Sequence, residues 1–201
     1  MTLTSTSIAD GAPIDAAFAM GAPDGATPGN RSPHLAWDDV PEGARSFVVT
    51  CVDPDAPTSA EPDAMGRIPA DRARTDFVHW VLYDLGADVR ELADGADSDG
   101  VTPRGKPVDG AAVGIRGQND YTGYFAGDAD MSGTYTGYDG PYPPPIDLRV
   151  HRYRFTVHAL DIATLGLAPG ATLADVADAM RGHVLASAAI TGTYTLNPDA
   201  A

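Results

Sequence analysis

Three stretches of this chain alternate apolar and polar residues with a period of two, the signature of half-buried β-strands. From Ser46 to Asp53, the residues Phe47, Val49, Cys51 and Asp53 share one face, so a carboxylate closes an otherwise apolar stripe. From Asp76 to Asp84, His79 falls on a face with Phe77, Val81 and Tyr83. From His151 to Ala159, the apolar face is His151, Tyr153, Phe155, Val157 and Ala159, and Arg152, Arg154, Thr156 and His158 take the other. Paired antiparallel, the end of the first stretch lies beside the starts of the other two, which gathers Asp53, His79, His151 and Tyr153 along one rim. Tyr153 follows His151 by roughly 6.6 Å, at about 3.3 Å per residue, close enough to line one small cavity.

The remaining pattern is weaker. The first forty-odd residues are rich in Gly, Pro and Asp and read as loop with one short strand, and Ser32 to Trp37 leads through a turn at Pro41 to Gly43 into the first long strand. Ser59 to Arg74 is loop; Asp88 to Gly110 mixes a short helix with an acidic loop; Gly114 to Pro145 is a long ordered loop of the kind that often carries function. The spacing predicts one clear helix, Leu173 to Ser187, with Thr172 as its cap and Asp175 favouring the N-terminal dipole, then a final strand from Ile190 to Leu196. With no internal repeat and no linker between two cores, the expectation is one domain over residues 1–201.

Composition narrows the function. At 201 residues and 43% hydrophobic the chain can bury a full core. No run of eighteen apolar residues exists, so no transmembrane segment is expected, and MTLTSTSIADGAP lacks the basic and apolar regions of a signal peptide. Cys51, the only cysteine, excludes an intrachain disulfide and reads as a buried strand residue. The formal net charge is −15, from 25 Asp and 3 Glu against 12 Arg and the single lysine Lys106. Such a chain has no basic footprint for nucleic acid. Abundant Asp beside almost no Lys points to a surface adapted to strong salt, hence to the cytoplasm of a halophile.

The segments SPHLAW (Ser32 to Trp37), FVVTCVDPDAPT (Phe47 to Thr58), FVHWVLYDL (Phe77 to Leu85), GQND (Gly117 to Asp120), GYDGPYPP (Gly137 to Pro144), HRYRFTVHALD (His151 to Asp161) and GHVLASAAITGTY (Gly182 to Tyr194) resemble, in order, the phosphatidylethanolamine-binding protein family, specifically its bacterial and archaeal Raf-kinase-inhibitor-like branch. The resemblance implies a mainly β fold, an antiparallel sandwich with a few peripheral helices, one near the C-terminus. It also implies a small pocket for phosphate-like or carboxylate anions, walled here by Asp53, Asp55, His79, Gly140, Pro141, Pro143, Pro144, His151 and Tyr153. Two imidazoles and a phenol can hold an oxyanion, with Asp53 orienting an imidazole and favouring its protonated form. The chain departs from the family pattern at Pro145 to Val150, where glycine is common, and in the long stretch between Asn119 and Tyr138.

The expected function is a non-enzymatic binding module with no cofactor. The alternatives are an inhibitor of a kinase or serine protease acting through the pocket rim, and a metal-dependent hydrolase using Asp53, His79 and His151. A homodimer is left open. The stretch Asp128 to Asp139 matches calcium-loop spacing at Asp128, Asp130, Ser132, Gly133, Thr136 and Asp139. Its last position is Asp rather than the bidentate Glu, and the preferred reading is a solvated acidic loop with no metal.

Overall fold

The computed structural model describes residues 1–23 and 26–201, so the loop expectation at positions 24 and 25 lies outside the described residues. Among these, the elements run β1 (Thr2–Thr4), a 3-10 turn (Ala16–Phe18), β2 (Leu35–Asp38), β3 (Ser46–Pro57), β4 (Arg74–Gly86), β5 (Glu91–Leu92), β6 (Ile115–Arg116), α1 (Tyr121–Tyr124), β7 (His151–Leu160), α2 (Leu173–Ala179) and β8 (Val184–Tyr194). Two antiparallel sheets result, β1-β2-β5 and β6-β4-β3-β7-β8. The three period-two stretches are the centre of the larger sheet. β3 pairs antiparallel with both β4 and β7, setting Asp53 opposite Phe77 and Val52 opposite Arg154.

The main core fills the space between the sheets, where Leu35, Trp37 and Leu92 meet Phe47, Val49, Trp80, Phe155 and Val157. Each such side chain contributes about 1.5–3 kcal/mol by leaving water. Cys51 lies in this core, fully buried, and burial followed by the nearby Asp53 charge pushes its thiol well above the ordinary range, so it is inert. On the other face of the sheet Val48, Val81, Tyr83 and Leu160 are covered by Val176 and Met180 at α2. β3 is thus buried on both sides.

The face inferred for His79 is half wrong, and the reason is a β-bulge. Cys51 pairs with Trp80 and Val52 with Val78, so β4 spends an extra residue, His79, where β3 spends none. Phe77 and His79 stay together, ring centres 5.0 Å apart, but beyond the bulge Val81 and Tyr83 turn to the α2 side while Trp80 and Leu82 enter the main core.

Other boundaries also move. The helix predicted to Ser187 ends at Ala179, and the strand expected from Ile190 begins at Val184. Thr172 and Asp175 do form a capping box, worth about 1 kcal/mol. What stops the helix is Gly182, whose φ of 83° suits the left-handed turn that releases the chain into β8. Asp88 to Gly110 holds no helix; it contributes the two-residue β5 instead. The long Gly114 to Pro145 loop contains β6 and the single-turn α1.

Candidate functional site

The site begins where β3 leaves its regular pairing. The register slips between Asp53 and Ala56, and Asp53 Oδ1 accepts the backbone N–H of Asp55 at 2.7 Å, a turn that holds the carboxylate at the strand's end. Asp53 Oδ2 then accepts from His151 Nδ1 at 2.7 Å, at the start of β7. The other ring nitrogen, Nε2, is 3.1 Å from Asp147 Oδ2. Asp147 in turn accepts both arms of Arg74, at 2.6 and 3.0 Å, at the start of β4. All four side chains are nearly excluded from solvent. Burial alone would lower the His151 pKa, but the two carboxylates outweigh it and raise it, so the imidazolium is favoured. Burial would likewise raise Asp147, yet Arg74, the Arg149 N–H and His151 together hold it below its usual range. The row Asp53, His151, Asp147, Arg74 therefore alternates in charge and is neutral as a whole.

His79 is placed by a different device. Its Nδ1 lies 2.8 Å from the Asp139 carbonyl, which can only accept, so Nδ1 carries the proton and Nε2 presents a lone pair. Asp139 returns its own N–H to the His79 carbonyl at 2.9 Å. Burial is the larger influence and lowers the His79 pKa despite the Asp53 charge and the Asp139 carbonyl, which act the other way. The ring is neutral at pH 7. Tyr121 and Tyr153 stand edge-on to it, 5.4 and 5.1 Å between centres.

These residues surround a cavity of about 200 Å³. Of the residues expected on its wall, Asp53, His79, Pro143, Pro144, His151 and Tyr153 line it. Asp55, Gly140 and Pro141 do not. Asp55 instead receives Arg152 through both oxygens, at 2.7 and 3.0 Å. Gly140 lies so close to the 3-10 turn that a Cβ would sit 2.1 Å from the Phe18 carbonyl oxygen, and its N–H and C=O go to Asn30 and Tyr121. The Pro141 carbonyl accepts from Met20 and Gly21. These three fasten the wall from behind.

Sequence reasoning missed Phe77, Tyr121, Tyr124, Tyr142 and the segment 56–60, which complete the lining. A signal was available for Tyr121 and Tyr124, since a three-residue spacing puts both on one side of a helical turn. Asp147 was missed too, because it sits in the loop where the chain departs from the family pattern. The calcium spacing is not realised. Asp139 is fully buried, with Oδ1 accepting from Lys106 at 2.6 Å and Asn30 at 2.8 Å and Oδ2 from Asn119 at 2.8 Å, while Asp128 caps its own turn through the N–H groups of Asp130 and Met131.

Chemically, the arrangement offers one acceptor nitrogen on His79 and one hydroxyl on Tyr153, which is buried with no partner among the described residues. His151 is different from what its sequence position implied: both nitrogens are committed to carboxylates, so it neither reaches an anion nor has a lone pair for a metal. Among the described residues no three His, Cys, Asp or Glu side chains are arranged so that they could hold a metal ion.

Comparison with known proteins agrees with this architecture. The chain is 40% identical to UPF0098 protein YbhB of Escherichia coli over 166 residues, 83% of this chain and 82% of YbhB. It is 38% identical to a UPF0098 protein of Aquifex aeolicus, over 81% of this chain and 73% of that one. The crystal structure of E. coli YbcL, described as a new member of the mammalian PEBP family, superposes with a TM-score of 0.71 at 28% identity, covering 96% and 97% of the two chains. CT736 of Chlamydia trachomatis, a phosphatidylethanolamine-binding protein homologue, gives 0.66 at 29% identity, over 96% and 95%. The phosphatidylethanolamine-binding protein family model itself matches residues 4–195, and to that family this chain belongs.

Proposed function

We propose that this protein is a binding module whose cavity takes a small phosphate-like or carboxylate anion at the end formed by His79 and Tyr153. The observation that carries the reading is the Tyr153 hydroxyl: a cavity-wall side chain, fully buried, whose polar atom has no partner. Leaving such a group unsatisfied costs about 1–3 kcal/mol, which a ligand oxygen would recover. Beside it, Nε2 of His79 becomes a charged donor once protonated. The Pro143 and Pro144 backbone, fixed in φ, keeps the wall rigid and lowers the ordering cost of binding.

The pH dependence follows from His79. Its pKa lies below the ordinary value in the free protein and an anion favours the protonated ring, so affinity is flat above about pH 6.5 and rises as pH falls below it. His151, already favoured as the imidazolium, adds little to that change. Sulfate is a suitable probe because its own charge is constant from about pH 8 down to about pH 4, which includes the region below about 6.5 where His79 gains its proton. Calorimetry should show Tyr153→Phe weakening it about fivefold, one neutral hydrogen bond, and His79→Gln removing the pH dependence. A sulfate affinity that is level across the range, or indifferent to both variants, overturns the reading.

The non-enzymatic character belongs to the same proposal. Neither cavity imidazole hydrogen-bonds a hydroxyl among the described residues, so no nucleophile and base are joined, and Ser59 Oγ only accepts from the Glu61 N–H. Exposed Tyr124 and Tyr142 at the mouth favour one second reading, an inhibitor of a kinase or protease that docks on the rim, since aromatic side chains are typical interface anchors. Tyr142→Ala would weaken such a complex while leaving sulfate affinity intact.

We further propose a cytoplasm rich in salt as the setting. The only lysine is buried, so the surface carries none at all, against 28 acidic residues in the chain. Screening of that excess should raise the melting temperature between 0.1 M and 2 M KCl, roughly the span over which the Debye length shrinks from about 10 Å to under 3 Å. Circular dichroism melts that coincide at the two concentrations would exclude a salt-adapted surface.

A further inference from the structure

The two ends of the cavity differ in kind. At the buried end lie polar groups, the His79 ring and the Tyr153 hydroxyl. From His79 towards the mouth runs a series of rings: Phe77 is 5.0 Å from His79, Tyr124 is 6.2 Å from Phe77 and Tyr142 is 6.3 Å from Tyr124, centre to centre. Tyr121 stands edge-on to both His79 and Phe77, at 5.4 and 5.1 Å, with ring planes 76° and 72° apart. Its hydroxyl is committed to the Gly140 carbonyl, so it offers the cavity a ring alone. Exposure grows along the series, from a half-buried Phe77 to the exposed Tyr124 and Tyr142.

The charge of the wall is equally restricted. Among the described residues no Arg or Lys lines the cavity, although these are the usual partners of phosphoryl groups. Asp53 and His151 satisfy each other. Burial, with the Asp139 and Asp53 charges behind it, pushes the phenols of Tyr121 and Tyr153 well above their ordinary range, so both stay neutral. The one positive charge the wall can give a ligand is therefore the proton that His79 gains. It matches a single negative charge. A dianion drawn out of water into this site would keep its second charge uncompensated, at a heavy cost.

Given the anion site proposed above, on which this depends, we infer that its ligand is an aromatic monocarboxylate, with the carboxylate at His79 and Tyr153 and the ring among Phe77, Tyr121 and the tyrosines of the mouth. Size agrees: roughly 150 Å³ of apolar space holds a benzene ring, and the cavity of about 200 Å³ leaves room for a small head group besides. Shape agrees as well. Edge-to-face contact, with centres about 4.5–7 Å apart, is a favoured geometry between rings, and a flat ligand ring extends the series that the wall already makes. A saturated tail buries apolar area but gains no such contact.

Calorimetric titration of the full chain at about pH 5.5, where carboxylic acids are largely ionised, tests this with benzoate, cyclohexanecarboxylate, acetate and sulfate. Benzoate should bind about tenfold tighter than acetate, which has the same head and no ring, and about threefold tighter than cyclohexanecarboxylate, whose ring has no π face. Sulfate, a dianion, should bind no tighter than acetate. Phe77→Leu keeps an apolar side chain but removes the ring nearest His79; it should weaken benzoate about fivefold and acetate far less, a split that a general loosening of the fold would not give. If that variant does not fold, the four probes on the unmodified chain decide. Acetate or cyclohexanecarboxylate as tight as benzoate overturns the aromatic class, and sulfate as tight as benzoate overturns the single charge, while either result leaves an anion site standing. Binding of none of the four overturns that site together with the assignment of its ligand.

Discussion

Arg74→Met is expected to lower stability by about 3–5 kcal/mol, the range for removing one partner of a buried ion pair. The substitution leaves Asp147, 1% exposed, without the guanidinium that donates to both its oxygens, and also takes a donor from the carbonyls of Asp55, Pro69 and Arg72. Arg74→Lys should recover only part, because an ammonium cannot reproduce the two-armed contact. The pH profile carries a second signature. His151 has its pKa raised, so its contribution is complete below the unfolded value near ~6.5 and is lost as pH rises through the folded value. Asp147 has its pKa lowered, so its contribution is complete above ~3.9 and is lost as pH falls through the folded value. The row of charges therefore stabilises most between about pH 4 and about pH 6.5, and that maximum should vanish in His151→Ala. Urea denaturation at several pH values reads both effects. A midpoint that Arg74→Met leaves in place would mean that the row contributes nothing to the fold.

Lys106→Met is expected to cost a similar amount, about 3–5 kcal/mol, at a residue that touches no part of the cavity. Lys106 is 8% exposed and Asp139 is 0% exposed; without the ammonium, the carboxylate keeps only the amides of Asn30 and Asn119. The effect reaches the site because the Asp139 carbonyl fixes the tautomer of His79, so sulfate affinity should fall together with stability. Combining Lys106→Met with Asp139→Asn removes both charges, and the pair should be more stable than the single variant. Urea denaturation of the two variants side by side decides: a single substitution costing under about 1 kcal/mol, or a double one no better than the single, contradicts this account.

The long central strands were legible because their burial is periodic and their partners lie at the two flanks. Phe47, Val49 and Cys51 meet the core that their spacing promised. The C-terminal helix was over-extended because Val184 to Ala189 is small and alanine-rich, a composition a helix accepts readily. Pairing with β7, ten register partners long, decides for strand, and local propensity has no access to that contact. The short β5 and β6 are likewise defined by partners distant in the chain, Leu35 and Leu82 among them. At the site, the Asp53, His79 and His151 convergence followed from strand ends alone. The commitment of His151 to two carboxylates did not, because Asp147 comes from a loop whose path no period describes.

The extra residue in β4 adds an imidazole to the cavity wall without disturbing the sheet around it. Cys51 opposite Trp80, Val52 opposite Val78 and Asp53 opposite Phe77 would be consecutive pairs of an even ladder if His79 were absent, so its deletion would close the bulge and leave each of those residues on its present face. An even strand would bring Phe77 to the cavity and Trp80 to the core with nothing between them on that face. Position 79 is therefore an inserted side chain, one more than the pleat itself could aim at the cavity.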